Sequence, residues 1–372
     1  MNAAAYNHHV RAPDGVDTVL LVLYLLGIYL GVDIRLGPGT PIPTVLSGLA
    51  GGLLLLKHMN RLREEQVVYL LVIVALYLGS ILSASIGDAA WLGKRTTGLL
   101  QLAYSFIIGY MLYLVMLQHQ RATVARIFGW LCVLLILGSA LENYLPAFKA
   151  LSDSVRGMIF DFGVYAADRR DLALYGQIRP KLFTSEPSAL TFGFTLFAFC
   201  WYVLSEWRWK LAAYGVMFAL AFFLMRGPTL MLGLALLMPY ELLLAPRRPG
   251  PYGTSYDLNR GTLAISLAIA LAGIAFAVGL HFYAERLASI EEGTDPSFFS
   301  RVTAPTLVAA QVIHDRPLAG IGLTAENSIV GIVDQVYAQG GLVSNYSFGN
   351  AKYALTNFFW MHWIYLGAGW GV

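Results

Sequence analysis

The chain has 372 residues, of which 57% are hydrophobic and 13% charged, with a formal net charge of +3; an ordinary soluble domain carries roughly 25% charged residues. That balance excludes a water-soluble globular protein as the first reading, and the small net charge without a basic cluster excludes a nucleic-acid partner. Cys132 and Cys200 both lie inside apolar runs, so neither a disulfide framework nor a zinc site is implied.

The amino-terminal stretch "MNAAAYNHHVRAPDG" is polar and leads into an apolar segment without a small-residue cleavage site, the pattern of an uncleaved signal anchor. Apolar runs long enough to cross about 30 Å of hydrocarbon as helices then recur along the chain. The sequence predicts spans over 18–36, 42–57, 66–86, 97–117, 124–142, 188–205, 209–225, 228–245, 262–283 and 353–372. The runs are continuous, as in "LLVLYLLGIYLGV", where a transmembrane barrel would alternate. The expected fold is an all-α integral membrane protein, a polytopic helical bundle forming one domain over 1–372. The last run stops inside an apolar, glycine-rich stretch, so further chain is expected beyond residue 372.

Basic residues in the short connections "KHMNRLR", "QRATVAR", "EWRWK" and "APRRPGPYGTSYDLNR" fall on one side, which the positive-inside rule makes cytoplasmic, together with the amino terminus and Arg11. Two long connections, 143–187 and 284–352, then lie on the outer face. The first carries Arg156, Arg169, Arg170, Arg179 and Lys181, and the second Arg286, Arg301 and Arg316. Basic residues gathered on an outer face point to an anionic ligand. Within the first loop Phe148, Leu151, Val155, Ile159 and Phe162 recur at helical spacing, as in a helix lying in the membrane interface. In the second, Asp295 is placed to cap a helix opening at Pro296, Pro305 to bend or split it, and Pro317 with Gly320 to end it.

The stretch from Trp209 to Ala245 is too long for one span, so "MRGPT" is expected to be a tight hairpin with Arg226 at its outer tip. Arg226 also fits an arginine reaching to headgroups, and Arg179 with Lys181 an interfacial anchor of the span that follows. Glu186, beside Pro187 at a helix entrance, fits either a carboxylate favoured by the helix's positive end or a general base. Arg301 and Arg316 taken singly are ordinary loop charges. Arg179, Arg226, Arg301 and Arg316 nevertheless share one face, and several guanidinium groups there suit phosphate oxygens. "GIGLTA" follows a helix end rather than a strand, "NYS" at Asn345 is a chance-level glycosylation pattern, and the histidines, among them His281 and His362, show no metal-ligand spacing.

Taken together, "RPKLFTSEPSALTFGF", "LMRGPTLMLGLAL", "SRVTAPTLVAAQVIHDRPLAGIGL" and "TNFFWMHWIYLGAGWGV" resemble, in that order, four segments of the bacterial O-antigen polymerase and ligase superfamily. The resemblance covers 179–372; Met225 stands where the family's hairpin carries serine. It implies a metal-independent, inverting glycosyltransferase of the inner membrane that uses an undecaprenyl-pyrophosphate-linked glycan at the periplasmic face, without a cofactor. A chain-length regulator is a candidate partner protein. Arg179, Arg226 and Arg301 match the family's basic positions and are assigned to the pyrophosphate, with Arg316 and Lys181 as further candidates. Arg301 and Glu186 are the candidate catalytic residues, Glu186 for the acceptor hydroxyl. Ligases place a histidine beside the asparagine that opens the late span; Thr356 stands there, before Asn357, which favours a polymerase. A ligase acting on lipid A core and a non-enzymatic transporter of a lipid-linked or anionic solute are the alternative readings.

Overall fold

The computed structural model describes residues 14–35, 41–61, 64–86, 89–160, 165–241, 273, 284–340, 351–355 and 357–370. All of the span expected at 262–283 except residue 273, together with Arg11, Phe162, His281, Asn345, Thr356, the side chain of Arg286 and the basic connection after 245, lies outside them. The described chain is helical apart from a pairing of β1 (Ile34–Arg35) with β2 (Pro41–Ile42). Four segments are long and apolar enough to cross a membrane: Val67–Ser85, Ala89–Gln118, Arg121–Tyr144 and Pro187–Leu204. Their surfaces agree with that environment, since Leu71, Leu76, Trp130, Leu134, Leu137 and Phe192 are exposed, a surface that water would not tolerate over so large an area.

The chain forms two compact units, one comprising Met1–Lys57 and Tyr110–Ala284, the other His58–Gly109 and Glu285–Val372. In the first unit α1 (Gly15–Leu30) is followed by α2 (Val45–His58). After the chain returns come α5 (Arg121–Tyr144), α6 (Pro146–Ile159), α7 (Asp168–Tyr175), α8 (Pro187–Leu204), α9 (Lys210–Met225) and α10 (Thr229–Pro239). Helix α8 is central, packing on α1, α5, α9 and α10. Small residues allow the close approaches: a Cβ at Gly193 would come within 2.8 Å of the Tyr29 ring, and one at Gly233 within 2.8 Å of Thr195. The Phe128 and Phe197 rings fill the α5–α8 interface with centroids 5.8 Å apart.

Two expected spans are shorter than the sequence predicts. Helix α1 stops at Leu30 because Gly31 takes a left-handed conformation (φ 62) and its N–H bonds the Gly27 carbonyl, closing the helix. Helix α1 is therefore 16 residues and α2 14, or roughly 24 and 21 Å at 1.5 Å per residue. A helix is present over the expected stretch as α6, and its polar side is the buried one: Ser152 is 0% and Arg156 2% exposed, whereas Leu151 is 54% and Met158 74% exposed. A helix in water would present the reverse.

The second unit holds α3 (Glu64–Ser85), the first part of α4 (Leu92–Gln118), α11 (Ala284–Glu291), α12 (Ala304–Asp315), α13 (Val330–Gln339), α14 (Ala351–Ala354) and α15 (Phe358–Trp370). Asp295 caps the turn Pro296–Phe298 as expected, its Oδ1 accepting from the Phe298 N–H at 2.6 Å. The helix then passes through a π turn, Phe299–Thr303, and resumes as an α-helix at Ala304, with Pro305 directly after the wider turn. The last span opens at Phe358 rather than 353 and is interrupted at Gly367 (φ 62, ψ −172). Val308, Val312, Ile321, Val333, Met361 and Ile364 share this unit's core.

Candidate functional site

In the first unit the turn Tyr175–Gly176 that ends α7 gathers the sequence's candidates. The Arg179 guanidinium lies 4.4 Å from the Tyr175 ring centroid, within the range of a cation–π contact. It is fixed by Asp171, whose Oδ1 accepts from Nε at 2.9 Å, and by the Tyr165 hydroxyl at 3.1 Å from Nη2. Asp171 is fully buried, and the Arg179 side chain is 12% exposed. Burial opposes the charge on Arg179, but the hydrogen bond and charge of Asp171 together with Tyr175 and Tyr165 outweigh it and keep the group protonated more firmly than usual. Arg226 reaches the same turn from the α9–α10 hairpin, donating Nη1 to the Tyr175 carbonyl. The hairpin is as tight as expected: α9 ends at Met225, α10 begins at Thr229, and Arg226 takes a positive φ of 46°.

Lys181 is buried and donates Nζ to Asp168 at 2.6 Å, while Lys149 reaches the other carboxylate oxygen at 2.9 Å. Partial burial tends to raise the Asp168 pKa, but the two ammonium groups outweigh it and hold the carboxyl below its ordinary value. Glu186 occupies the N-cap position of α8 without a cap bond from its side chain. Its Oε1 accepts instead from the Ser188 hydroxyl.

What shapes this loop is a buried pair that no motif marked. Glu142, near the end of α5, accepts from the N–H groups of Lys181 (3.0 Å) and Leu182 (2.6 Å). One helical turn earlier, Gly138 makes room for the Leu182 side chain, since a Cβ there would lie 2.6 Å from Leu182 Cδ1. Tyr29 donates its hydroxyl to the Leu182 carbonyl at 2.7 Å, and Ser152 accepts from the Phe183 N–H at 3.2 Å. These bonds hold Leu182 (φ 39) and Phe183 (φ 65) in the left-handed region, where residues with a Cβ are disfavoured. Arg156 donates to the carbonyls of Thr184 (2.7 Å), Ser185 (3.0 Å) and Tyr165 (3.2 Å) and pairs with Asp153 at 2.6 Å. Replacing Glu142 by alanine strands two buried N–H groups at about 1–3 kcal/mol each. Thermal unfolding in detergent should register the loss, with Glu142→Gln intermediate because it keeps one acceptor oxygen. A Glu142→Ala protein as stable as the parent would contradict this account.

The second unit carries Arg301 and Arg316. Arg301 is exposed on the π turn, and its carbonyl accepts from Asn357 Nδ2 at 2.8 Å. Asn357 also caps α15, its Oδ1 accepting from the Phe359 N–H at 3.0 Å. The asparagine that opens the last span thus ties its helix to the arginine turn. Beyond α12 the stretch "PLAGIGL" docks on the interruption of α15: Ile321 N–H bonds Ile364 O (3.0 Å), Gly322 N–H bonds Tyr365 O (2.9 Å), and Ala368 N–H bonds Pro317 O (2.7 Å). On its other side the fully buried Arg95 of α4 donates Nε to the Ile321 carbonyl at 2.8 Å and Nη1 to Ser85 at 3.1 Å. Arg316 is exposed and borders two clefts. One, of about 290 Å³, includes Asp315 and Ser328; the other, of about 420 Å³, includes Ile86, Pro317 and Leu318.

The structure therefore brings Arg179 and Arg226 to one turn, holds Lys181 and Glu186 on the loop beside it, and places Arg301 and Arg316 in the other unit. No family model, curated protein or solved structure matches the chain. The functional reading consequently rests on these residues and their chemistry. Glu142, Arg156 and Arg95 were not singled out as site residues from sequence; the available signal is an ionisable side chain at or near the end of an apolar span.

Proposed function

We propose that the chain is a glycosyltransferase of the bacterial inner membrane that joins undecaprenyl-pyrophosphate-linked repeat units into an O-antigen or exopolysaccharide at the periplasmic face. The observation that carries this reading is Arg226, a charged residue in a left-handed position that glycine would occupy more cheaply; its guanidinium meets the residue on whose ring Arg179 stacks. Strained positions of this kind cluster at active sites and ligand clamps. The family resemblance over 179–372 supplies the substrate class.

In this reading an acceptor hydroxyl attacks the donor's anomeric carbon, the carbon–oxygen bond to the pyrophosphate breaks, and the configuration inverts. Negative charge grows on the departing pyrophosphate. Arg179, already oriented by Asp171, and Arg226 stabilise it in place of a divalent ion, and such fixed donors contribute most in a site that excludes water. Glu186, whose Oε1 accepts from the Ser188 hydroxyl, takes the acceptor's proton. Lys181, buried against Asp168, orders the loop and adds positive charge at short range, without contacting the carrier. Arg301, which the family resemblance also assigns to the pyrophosphate, lies in the other unit on a turn whose carbonyl is held by Asn357. Reconstitution with lipid-linked repeats and no added metal tests this function: a ladder of extended chains is expected, and unextended repeats would refute it.

A further inference from the structure

Helix α6 joins the spanning helix α5 through a single extended residue, Leu145. After Pro146 its exposed positions are Ala147, Ala150, Leu151, Ser154, Gly157 and Met158. Their spacing puts them on one face, and none is charged. Each charged residue of α6 is engaged with the chain instead: Lys149 with Asp168, Asp153 with Arg156, and Arg156 with the carbonyls of Tyr165, Thr184 and Ser185. Phe148 packs edge-on against Phe183, with ring centroids 6.0 Å apart. Polar contacts and ring contacts thus face the loop 165–185, and the neutral face is left outward. On a helix bathed in water that outer face would carry the charges.

The surface that this face continues indicates what covers it. On α5 the exposed Trp130, Leu134, Leu137, Leu141 and Tyr144 form one stripe at helical spacing, along a segment long and apolar enough to cross a membrane. The stripe leads through the exposed Leu145 to α6. Tyrosine favours the membrane–water boundary, so Tyr144 marks the level at which α5 leaves the hydrocarbon. Glu142, the one charge at this end of α5, is buried under its bonds to Lys181 and Leu182. A groove in a partner protein would grip large side chains repeated along the helix, and here alanine, serine and glycine separate only two, Leu151 and Met158. Such a face suits fluid chains that conform to it. We infer that α6 is an in-plane membrane anchor, its neutral face lying in the acyl chains of the leaflet at this end of α5. Through Lys149 and Arg156 the anchor holds the loop of Arg179 and Lys181 at the depth of the lipid headgroups. Calling that leaflet the outer one rests on the orientation read from the basic connections; the anchoring does not.

Spin labels on the full chain in lipid nanodiscs test the anchor. Met158→Cys and Leu151→Cys are labelled, with Leu137→Cys as the reference for acyl chains and Glu206→Cys, whose side chain is 80% exposed, as the reference for water. The parent, with Cys132 and Cys200, supplies the background signal. Collisions with dissolved oxygen report hydrocarbon, and collisions with a water-soluble nickel chelate report water. The labels at 151 and 158 should favour oxygen over the chelate several-fold more than the label at 206 does, at a depth of about 5–10 Å, shallower than the label at 137. Ala150→Cys, the smallest change on the same face, gives the same reading should either larger side chain prove necessary for insertion. Labels as open to the chelate as the one at 206 would overturn the inference, and so would labels shielded from both reagents, as under a partner protein. None of these readings depends on polymer formation, so failure of the glycosyltransferase reading and failure of the anchor are told apart.

Discussion

Arg226→Gly is expected to lower repeat-unit extension by about 100-fold or more, the loss seen when one fixed donor to a developing anion is removed, while leaving the protein folded. Glycine is the informative substitution because Arg226 has a φ of 46°. Removing the Cβ there relieves the backbone by about 1–2 kcal/mol, so the hairpin between α9 and α10 is preserved as the cation disappears. Arg226→Lys restores charge without the planar fork and should recover only part of the rate. The measurement is the distribution of polymer lengths on a gel, alongside membrane insertion of each variant. Normal long chains from a normally inserted Arg226→Gly protein would remove this residue from the mechanism.

Gly320→Ala should destabilise the second unit strongly. Gly320 has a φ of 54°, and a Cβ there would press on the Ile364 carbonyl and come within 2.7 Å of the Gly367 nitrogen and 2.8 Å of the Tyr365 carbonyl carbon. All three are backbone atoms of the interrupted α15, so no side chain can swing aside. A left-handed residue with a Cβ costs about 1–2 kcal/mol and overpacking a further 1–3, so a total near 2–5 kcal/mol is expected. Gly109→Ala on α4, where a Cβ meets nothing within 4 Å, is the matched control and should be close to neutral. Tryptophan fluorescence during thermal unfolding in detergent reads both, and equal midpoints would show that the docking of 317–323 on α15 is not tight.

The helical class and the four long apolar helices were legible because continuous apolar runs leave a backbone in hydrocarbon few other solutions. So was the hairpin at Arg226, since no single span accommodates 209–245. Span length was legible less well: Gly31 closes α1 early, and nothing in the local hydropathy distinguishes it from Gly27, which continues the helix. The support of the site was the least legible part. Glu142 and Arg156 act on backbone groups some thirty to forty residues away, and a bond to a main-chain N–H or carbonyl leaves no pattern in the side-chain sequence. The glycines of "PLAGIGL" are a contrasting case: their spacing was visible, and their reason, room for the α15 backbone at Gly320 and for Arg95 at Gly322, required the fold.

The central claim is glycan transfer from a pyrophosphate carrier, and the most direct measurement supplies the purified full chain, in vesicles free of added divalent metal, with undecaprenyl-pyrophosphate-linked repeats and, separately, with those repeats plus lipid A core. The account predicts chains many repeats long in both reactions, no capped core, and loss of extension with Arg226→Gly. Capped core without extended chains would make the protein a ligase, and unchanged lipid-linked repeats in both reactions would contradict the account.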